Sequence, residues 1–174
     1  ADNATTAFFA RLTDVAQNES GCLPLAASYT ADNTAPAAPT GLAIWPSARA
    51  NNNLPRVFGT AEPGTSVRVF QNADCTGEPT TTASAATFAS GVSIPVGDDT
   101  TTTFSARAVD VADNVGSCSP TPVTYEEDST PPSAPTIIAT TPASPANLSA
   151  LSNTARIVGT AAGAETVSLY FDAA

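Results

Sequence analysis

Residues 115–135 read VGSCSPTPVTYEEDSTPPSAP, and residues 19–39 read ESGCLPLAASYTADNTAPAAP. Each stretch holds one cysteine, one tyrosine and an acidic end set among prolines. Sliding the chain by 96 residues lays Cys22 on Cys118, Tyr29 on Tyr125, Asp32 on Asp128, and Pro36 and Pro39 on Pro132 and Pro135. Across residues 10–39, 14 of 30 positions are identical to their partners. An internal period of this kind governs every later reading of the chain.

The correspondence continues downstream. PTGLAIWP (39–46) meets PTIIATTP (135–142), and after a further shift of four, RVFGTAEPGTSVRVF (56–70) meets RIVGTAAGAETVSLY (156–170). The sequence therefore reads as an internal piece of a tandem array with a period of 96 to 100 residues. Residues 1–32 are the C-terminal part of one repeat, 33–128 a complete repeat, and 129–174 the N-terminal part of the next.

Within the complete repeat the apolar pattern alternates with period 2, as in TFSARAVD (103–110, counting from Thr103) and SVRVF (66–70). Alternation of this kind puts apolar side chains on one face of a strand. Seven short strands are predicted, near 40–45, 56–61, 66–71, 80–86, 91–96, 102–109 and 122–126. Turn-forming groups separate them: Glu62-Pro-Gly64, Cys75-Thr-Gly77, Gly97-Asp-Asp99 and Asp113-Asn-Val-Gly116. With 15 prolines and 10 glycines, no stretch favours a long helix. The expected fold is all-β, an immunoglobulin-like sandwich of about seven strands per repeat.

VFGTAEPGTSVRVF, TFSARAVDVADN and YEEDSTPPSAP together resemble the bacterial immunoglobulin-like tandem repeats of large cell-surface and biofilm adhesins. The pattern of those repeats is a Gly-Thr-x-Glu-Pro-Gly turn, an Ala-x-Asp-x-Ala-Gly-Asn turn and an Asp-x-Thr-x-Pro linker. Here Gln17 or Asp113 stands where glycine is usual, the third copy replaces Glu-Pro-Gly with Ala162-Gly-Ala164, and cysteines are added.

Repeat phase organises the three cysteines. Cys75 follows the third strand and Cys118 the sixth, so they fall in one repeat and are expected to form a disulfide; Cys22, the counterpart of Cys118, is left unpaired. The alternative is a pair of buried free thiols. A disulfide implies an oxidising, extracellular or cell-surface setting.

Acids recur where repeats join. Asp14 and Asp110 end strands in turns closed by Asn18 and Asn114, Asp32 and Asp128 precede the proline linkers, and Glu62 and Glu126 lie in or near the same loops. Calcium takes six to eight oxygen ligands, so these six acids are its candidate ligands. The resemblance implies the same, since related adhesin repeats bind calcium at their joints. The competing reading is turn-capping, each carboxylate satisfying its own loop.

Composition limits the functions available. Sixteen acids face six bases, a net charge of -10, and every base is arginine. Such a chain repels phosphate backbones and anionic lipid, so neither nucleic acid nor direct membrane contact is expected. Without histidine there is no Ser/His/Asp or Cys/His machinery, without lysine no Schiff base or lysine crosslink, and no phosphate-cradling glycine loop occurs. Catalysis is not expected.

The function these features favour is a non-catalytic stalk segment of a long extracellular surface protein, its partners the neighbouring repeats of the same chain. Two alternatives stand beside it. One is a carbohydrate- or ligand-binding accessory module using Trp45, the sole tryptophan, which would otherwise be partly buried near a joint. The other is a fibre in which identical chains assemble by strand complementation. Against the latter, head plus tail lacks the segment corresponding to residues 75–96, with two strands and a cysteine.

Overall fold

The structure is a computed structural model describing residues 3–47, 49–141, 143, 156–163 and 166–170. Its contacts divide the chain into two compact units, Ala1–Ser129 and Thr130–Ala174.

The first unit opens with a hairpin, β1 (Thr5–Ala10) and β2 (Leu23–Thr30). There follow β3 (Thr40–Trp45), β4 (Arg49–Ala50), β5 (Arg56–Thr60), β6 (Ser66–Phe70), β7 (Thr81–Ser84), helix α1 (Ala85–Ser90), β8 (Val92–Ser93), β9 (Thr101–Val109) and β10 (Val123–Glu127). A five-stranded sheet has the order β4-β10-β9-β6-β7, and a three-stranded sheet the order β3-β5-β8. All pairs are antiparallel except the short parallel pair of β10 and β4.

Alternation explains why the two sheets share a core. Val67 and Val69 of β6 and Phe104 and Ala106 of β9 point inward to meet Ile44 of β3 and Val57 of β5, with Tyr125 of β10 completing the cluster. Fully burying a valine- or phenylalanine-sized side chain contributes about 1.5–3 kcal/mol. Only Ala85 and Ala106 of the ten cluster residues are alanine, and the larger side chains hold the two sheets together.

Three features go beyond the strand pattern. Where the sequence predicts strands over 80–86 and 91–96, the chain instead makes one helical turn and a half between a short β7 and a two-residue β8. Ser84 caps α1 by accepting the Thr87 amide at 3.1 Å, and Gly91, at φ 100°, ends it with its amide bonded to Thr87 and Phe88 carbonyls. Local capping and the helix preference of alanine win over the strand reading, and Phe88 is thereby driven fully into the core. Second, β4 adds an edge to β10. Third, the face of β6 and β9 opposite the core is itself covered, leaving Ser105, Val109 and Phe70 buried.

Over Ser105 that cover is the disulfide, while Val109 bridges Val115. Cys75 and Cys118 are bonded, with Cα atoms 5.8 Å apart and a sequence separation of 43. The bond ties the loop after β6 to the segment before β10, two parts of the same sheet. Ser105 accepts the Cys75 amide at 3.2 Å, and Arg107 donates to the Cys75 carbonyl while its guanidinium lies 5.2 Å from the Phe70 ring centre. Closing a loop of this length contributes about 4 kcal/mol in the chain-entropy picture. A disulfide of this kind belongs to an oxidising compartment.

The strand registers obey the 96-residue shift. β1 pairs with β2 as Thr5↔Thr30, Thr6↔Tyr29 and Ala7↔Ser28, and β9 pairs with β10 as Thr101↔Glu126, Thr102↔Tyr125 and Thr103↔Thr124. Each pair in the second set is the first moved by 96 on both strands.

The second unit, taken by itself, contains the hairpin β11 (Thr136–Thr141) and β12 (Arg156–Thr160). Its register, Thr136↔Thr160, Thr140↔Ile157 and Thr141↔Arg156, repeats that of β3 and β5, Thr40↔Thr60, Ile44↔Val57 and Trp45↔Arg56, with an irregularity near the start of β11 as there is in β3. Gly59 and Gly159 occupy the same place. A Cβ on either would come within 3.0 Å of the Thr40 carbonyl or 2.3 Å of the Thr136 carbonyl, so the irregular pairing requires glycine in both. Residues 166–170, which the alignment of 56–70 with 156–170 lays on β6, are not in a strand.

Candidate functional site

The acids at the joints organise two turns of the same construction. Asp14 Oδ1 accepts the amides of Ala16 (2.9 Å) and Asn18 (2.8 Å), and Oδ2 accepts the Asn18 side-chain amide (2.9 Å). Asp110 does the same with Ala112 (2.8 Å), the Asn114 main chain (2.9 Å) and the Asn114 side chain (2.9 Å). Gln17 and Asp113 complete the turns at φ 69° and 64°. These are positions where glycine is easiest and where asparagine or aspartate is tolerated better than most. The donated hydrogen bonds, that of the asparagine side chain foremost, hold both carboxyls below the ordinary 3.8.

The second turn reaches the linker that precedes β3. The remaining Asn114 side-chain hydrogen goes to the Asp32 carbonyl at 3.0 Å. Beside it, Gly116 is packed so closely on the linker that a Cβ would stand 2.5 Å from the Pro36 carbonyl oxygen. Glu62, in the Glu-Pro-Gly turn, accepts the Ala37 amide at 3.1 Å, and Pro36 and Pro39 are buried. Two loops thus hold one linker.

From the hairpin side, Asn3, at φ 54°, accepts the Asn33 amide at 2.7 Å and the Thr34 hydroxyl at 3.2 Å. Asp32 closes a local turn onto the Thr34 amide at 3.0 Å. Ninety-six residues on, Asp99, at φ 51°, accepts the Ser129 amide at 3.0 Å. The main-chain bond Ala31 to Ala4 is likewise repeated as Glu127 to Thr100.

Around that second position Arg49 pairs with Asp128 (2.8 Å) and Glu126 (3.4 Å). Glu127 is fully buried, its Oε2 accepting the Asp99 amide (2.7 Å) and the Ser129 hydroxyl (3.2 Å) while Oε1 has no partner. Tyr125 shares its hydroxyl hydrogen between the Ala50 and Asn52 carbonyls at 3.0 and 2.9 Å. Burial, with the nearby Glu127 charge, pushes its ionisation above 10.

The six candidate calcium ligands are therefore dispersed. Asp14 and Asp110 serve separate turns, Asp32 and Glu62 bond linker amides, and Asp128 and Glu126 face Arg49. Among the described residues no group of three or more acidic or cysteine side chains converges as a metal site would need. Cys22 is free and exposed.

Trp45 stands at the end of β3, 63% exposed, where partial burial near a joint is its ordinary expectation. It borders a shallow depression of about 350 Å³ with Arg56, Phe58 and Ser90. Arg56 spends part of its guanidinium on the Ser90 carbonyl at 2.7 Å.

Sequence reasoning named the acids of this region, and Asp99 and Gly116 only as turn residues, but assigned no part at the joint to Asn3 or Arg49. Asn3 and Asp99 were legible as a shift-related pair of short side-chain acceptors; Gly116 was not, because its counterpart is Ser20. No protein-family model matches the chain, and no curated protein matches it significantly.

Proposed function

We propose that this chain is a non-catalytic structural segment of an extracellular bacterial surface protein, built of immunoglobulin-like repeats whose joints are held by side-chain bonds. One observation carries the reading. The bond from residue 33 to Asn3 recurs 96 residues later as the bond from Ser129 to Asp99, so the way a sandwich hands over to its linker is itself periodic. In an array where each repeat touches mainly its neighbours, length follows copy number. Linkers restrained by proline and by hydrogen bonds transmit that length as reach.

The surface chemistry agrees with this role. A net charge of -10 with all bases arginine keeps a long polymer soluble and away from anionic surfaces. The disulfide suits the oxidising exterior where such proteins act.

The test is a series of concatenated copies of residues 33–128, measured by small-angle scattering. A stalk requires the maximum dimension to grow by a constant increment with each copy. A dimension growing only as the square root of copy number, as for freely jointed beads, overturns the proposal.

The exposure of Trp45 favours a second reading, a sugar-stacking platform on the β3 and β5 face, since an exposed aromatic ring beside an arginine is suited to a carbohydrate ring. Glycan binding abolished by Trp45→Ala is the outcome that would establish it.

A further inference from the structure

The outer face of the five-stranded sheet carries positive charge that the described residues do not balance. Val67 and Val69 of β6 and Ala106 and Ala108 of β9 are buried on the core side, so Arg68 and Arg107 belong to the opposite face. The register sets these two arginines directly against each other, Arg68↔Arg107, in a chain with only six bases against sixteen acids. Opposed side chains of neighbouring strands lie about 5 Å apart at Cβ, and like charges so placed repel.

No acid offsets the pair. Among the described residues the ion pairs engage Arg11 and Arg49 only. Arg107 gives Nη2 to the Cys75 carbonyl and lays its guanidinium over the Phe70 ring, contacts that fix its position without neutralising it. Its Nε is enclosed with no acceptor. Arg68, partly buried and set in register between Arg107 and Thr82, makes no hydrogen bond or ion pair with the described residues.

The repeat supplies a comparison within the same chain. Ninety-six residues before Arg107 stands Arg11, which pairs with Glu19. The position answering Glu19 in the complete repeat holds Val115, and the position answering Arg68 in the next copy holds Ser168. The complete repeat therefore has one arginine more and one carboxylate fewer than the flanking copies carry at these positions.

We propose that Arg68 and Arg107 form a binding site for the carboxylate of a small acidic ligand, which takes beside Arg107 the place that Glu19 fills beside Arg11. A guanidinium presents a planar fork of donors matched to two carboxylate oxygens. Cys75 and Phe70 hold Arg107 in place before the ligand arrives, which lowers the ordering cost of binding. The chain's negative charge limits the size of the ligand. A polyanion meets the whole acidic surface, whereas a single carboxylate meets the arginine pair, charges beyond about 8 Å being screened at physiological salt. Trp45 lies on the other sheet, so the site is independent of the sugar-platform reading as well as of the stalk.

Titration of the 174-residue chain with sodium acetate and with methyl glucuronide, at an ionic strength held constant with chloride, reads the site through the arginine side-chain Nε–H resonances. Saturating shifts at Arg68 and Arg107, with millimolar dissociation constants and no shift at Arg56, are expected. Tighter binding of methyl glucuronide than of acetate assigns the site to the acidic end of a glycan, and equal binding assigns it to free organic acids. The absence of shifts, or shifts that stay linear and alike at all six arginines as for an ion atmosphere only, overturns the proposal.

Two variants tie the binding to the pair. Arg68→Gln, at a side chain with no internal bond to lose, should weaken acetate binding about tenfold or more, the loss expected for a hydrogen bond to a charged group. Val115→Glu, at a position 41% exposed, reinstates the acid of the Arg11–Glu19 pair and should abolish saturation at Arg107. Unchanged binding in either variant overturns the site, and if Val115→Glu disturbs the bridge to Val109, Arg68→Gln decides alone.

Discussion

Asn114 divides its side-chain amide between two acceptors, the Asp110 carboxylate at 2.9 Å and the Asp32 carbonyl at 3.0 Å, the latter 82 residues earlier in the chain. One side chain thereby completes a turn and fastens the linker to it. Neither bond alone would couple the two.

Breaking this coupling should loosen the linker while leaving the sandwich folded. Asn114→Ala removes the bond to Asp32, and each net hydrogen bond lost costs about 1 kcal/mol. Gly116→Val forces a side chain into the space held by the Pro36 carbonyl, with a cost of about 1–3 kcal/mol typical of overpacking. Hydrogen exchange at the Ala37 and Asn33 amides is the readout. Faster exchange there with unchanged exchange in β6 and β9 is expected, and unchanged exchange at the linker would show that the clasp contributes nothing.

Replacing Cys75 and Cys118 together by serine should lower unfolding free energy by about 2–4 kcal/mol. For a sandwich of this size that lowers the melting temperature by roughly 8–32 °C, at about 4–8 °C per kcal/mol. Cys22→Ser should leave the melting curve unchanged, since that thiol is free and exposed. Calorimetry of the two variants separates a structural bond from an incidental one.

The acid-range behaviour follows from Asp14 and Asp110. Their folded ionisation lies below 3.8, chiefly through the Asn18 and Asn114 side chains. A lowered folded value means that the stabilisation is fully present above 3.8 and disappears as pH falls through the folded value. Carboxyl chemical shifts of Asp110 should titrate with a midpoint under 3.8, and Asn114→Ala should move that midpoint upward. A midpoint at or above 3.8 in the unaltered protein would contradict the hydrogen-bonded turn.

At the alkaline end Tyr125 acts in the opposite sense. Its folded ionisation is raised above 10, so its contribution is complete below 10 and is lost as pH rises through the folded value. The Tyr125→Phe variant, which lacks both the hydroxyl and its bonds to Ala50 and Asn52, should be less stable at neutral pH by about 1 kcal/mol. It should also lose less stability than the unaltered chain between pH 9 and 11. Denaturant melts across that range measure both effects.

Calcium should not alter stability. The oxygens of Asp14, Asp110, Asp32 and Glu62 already accept main-chain or asparagine hydrogens, and Asp128 and Glu126 face Arg49. Melting curves in EDTA and in added Ca²⁺ are expected to coincide. A calcium-dependent rise in melting temperature would favour the metal reading of the joints.

Much of this architecture was legible because it is local. Alternation in SVRVF and in Thr101–Val109 sets which side chains can face a core, and Glu62-Pro-Gly64 or Asp110 with Asn114 specifies a turn within five residues. The period of 96 placed Cys75 and Cys118 in one repeat, which is how their bond could be anticipated. Even α1 had a local signature, Ser84 three residues before Thr87, masked by the β-branched run that precedes it.

What the sequence could not convey is which of these local pieces meet. The acids recur at matching positions, yet only folding decides that Asp14, Asp32, Glu62 and Asp110 serve separate amides while Glu126 and Asp128 share Arg49. Burial of Ser105 comes with a disulfide crossing the outer face, where Cys75 bonds it, and exposure of Trp45 depends on what β5 and α1 place beside it. Above all, the clasp of Asn114 on Asp32 and the close approach of Gly116 to Pro36 join segments some 80 residues apart. Periodicity and turn chemistry act over a few bonds of the chain, whereas contacts across such separations exist only once the two sheets have closed on their common core.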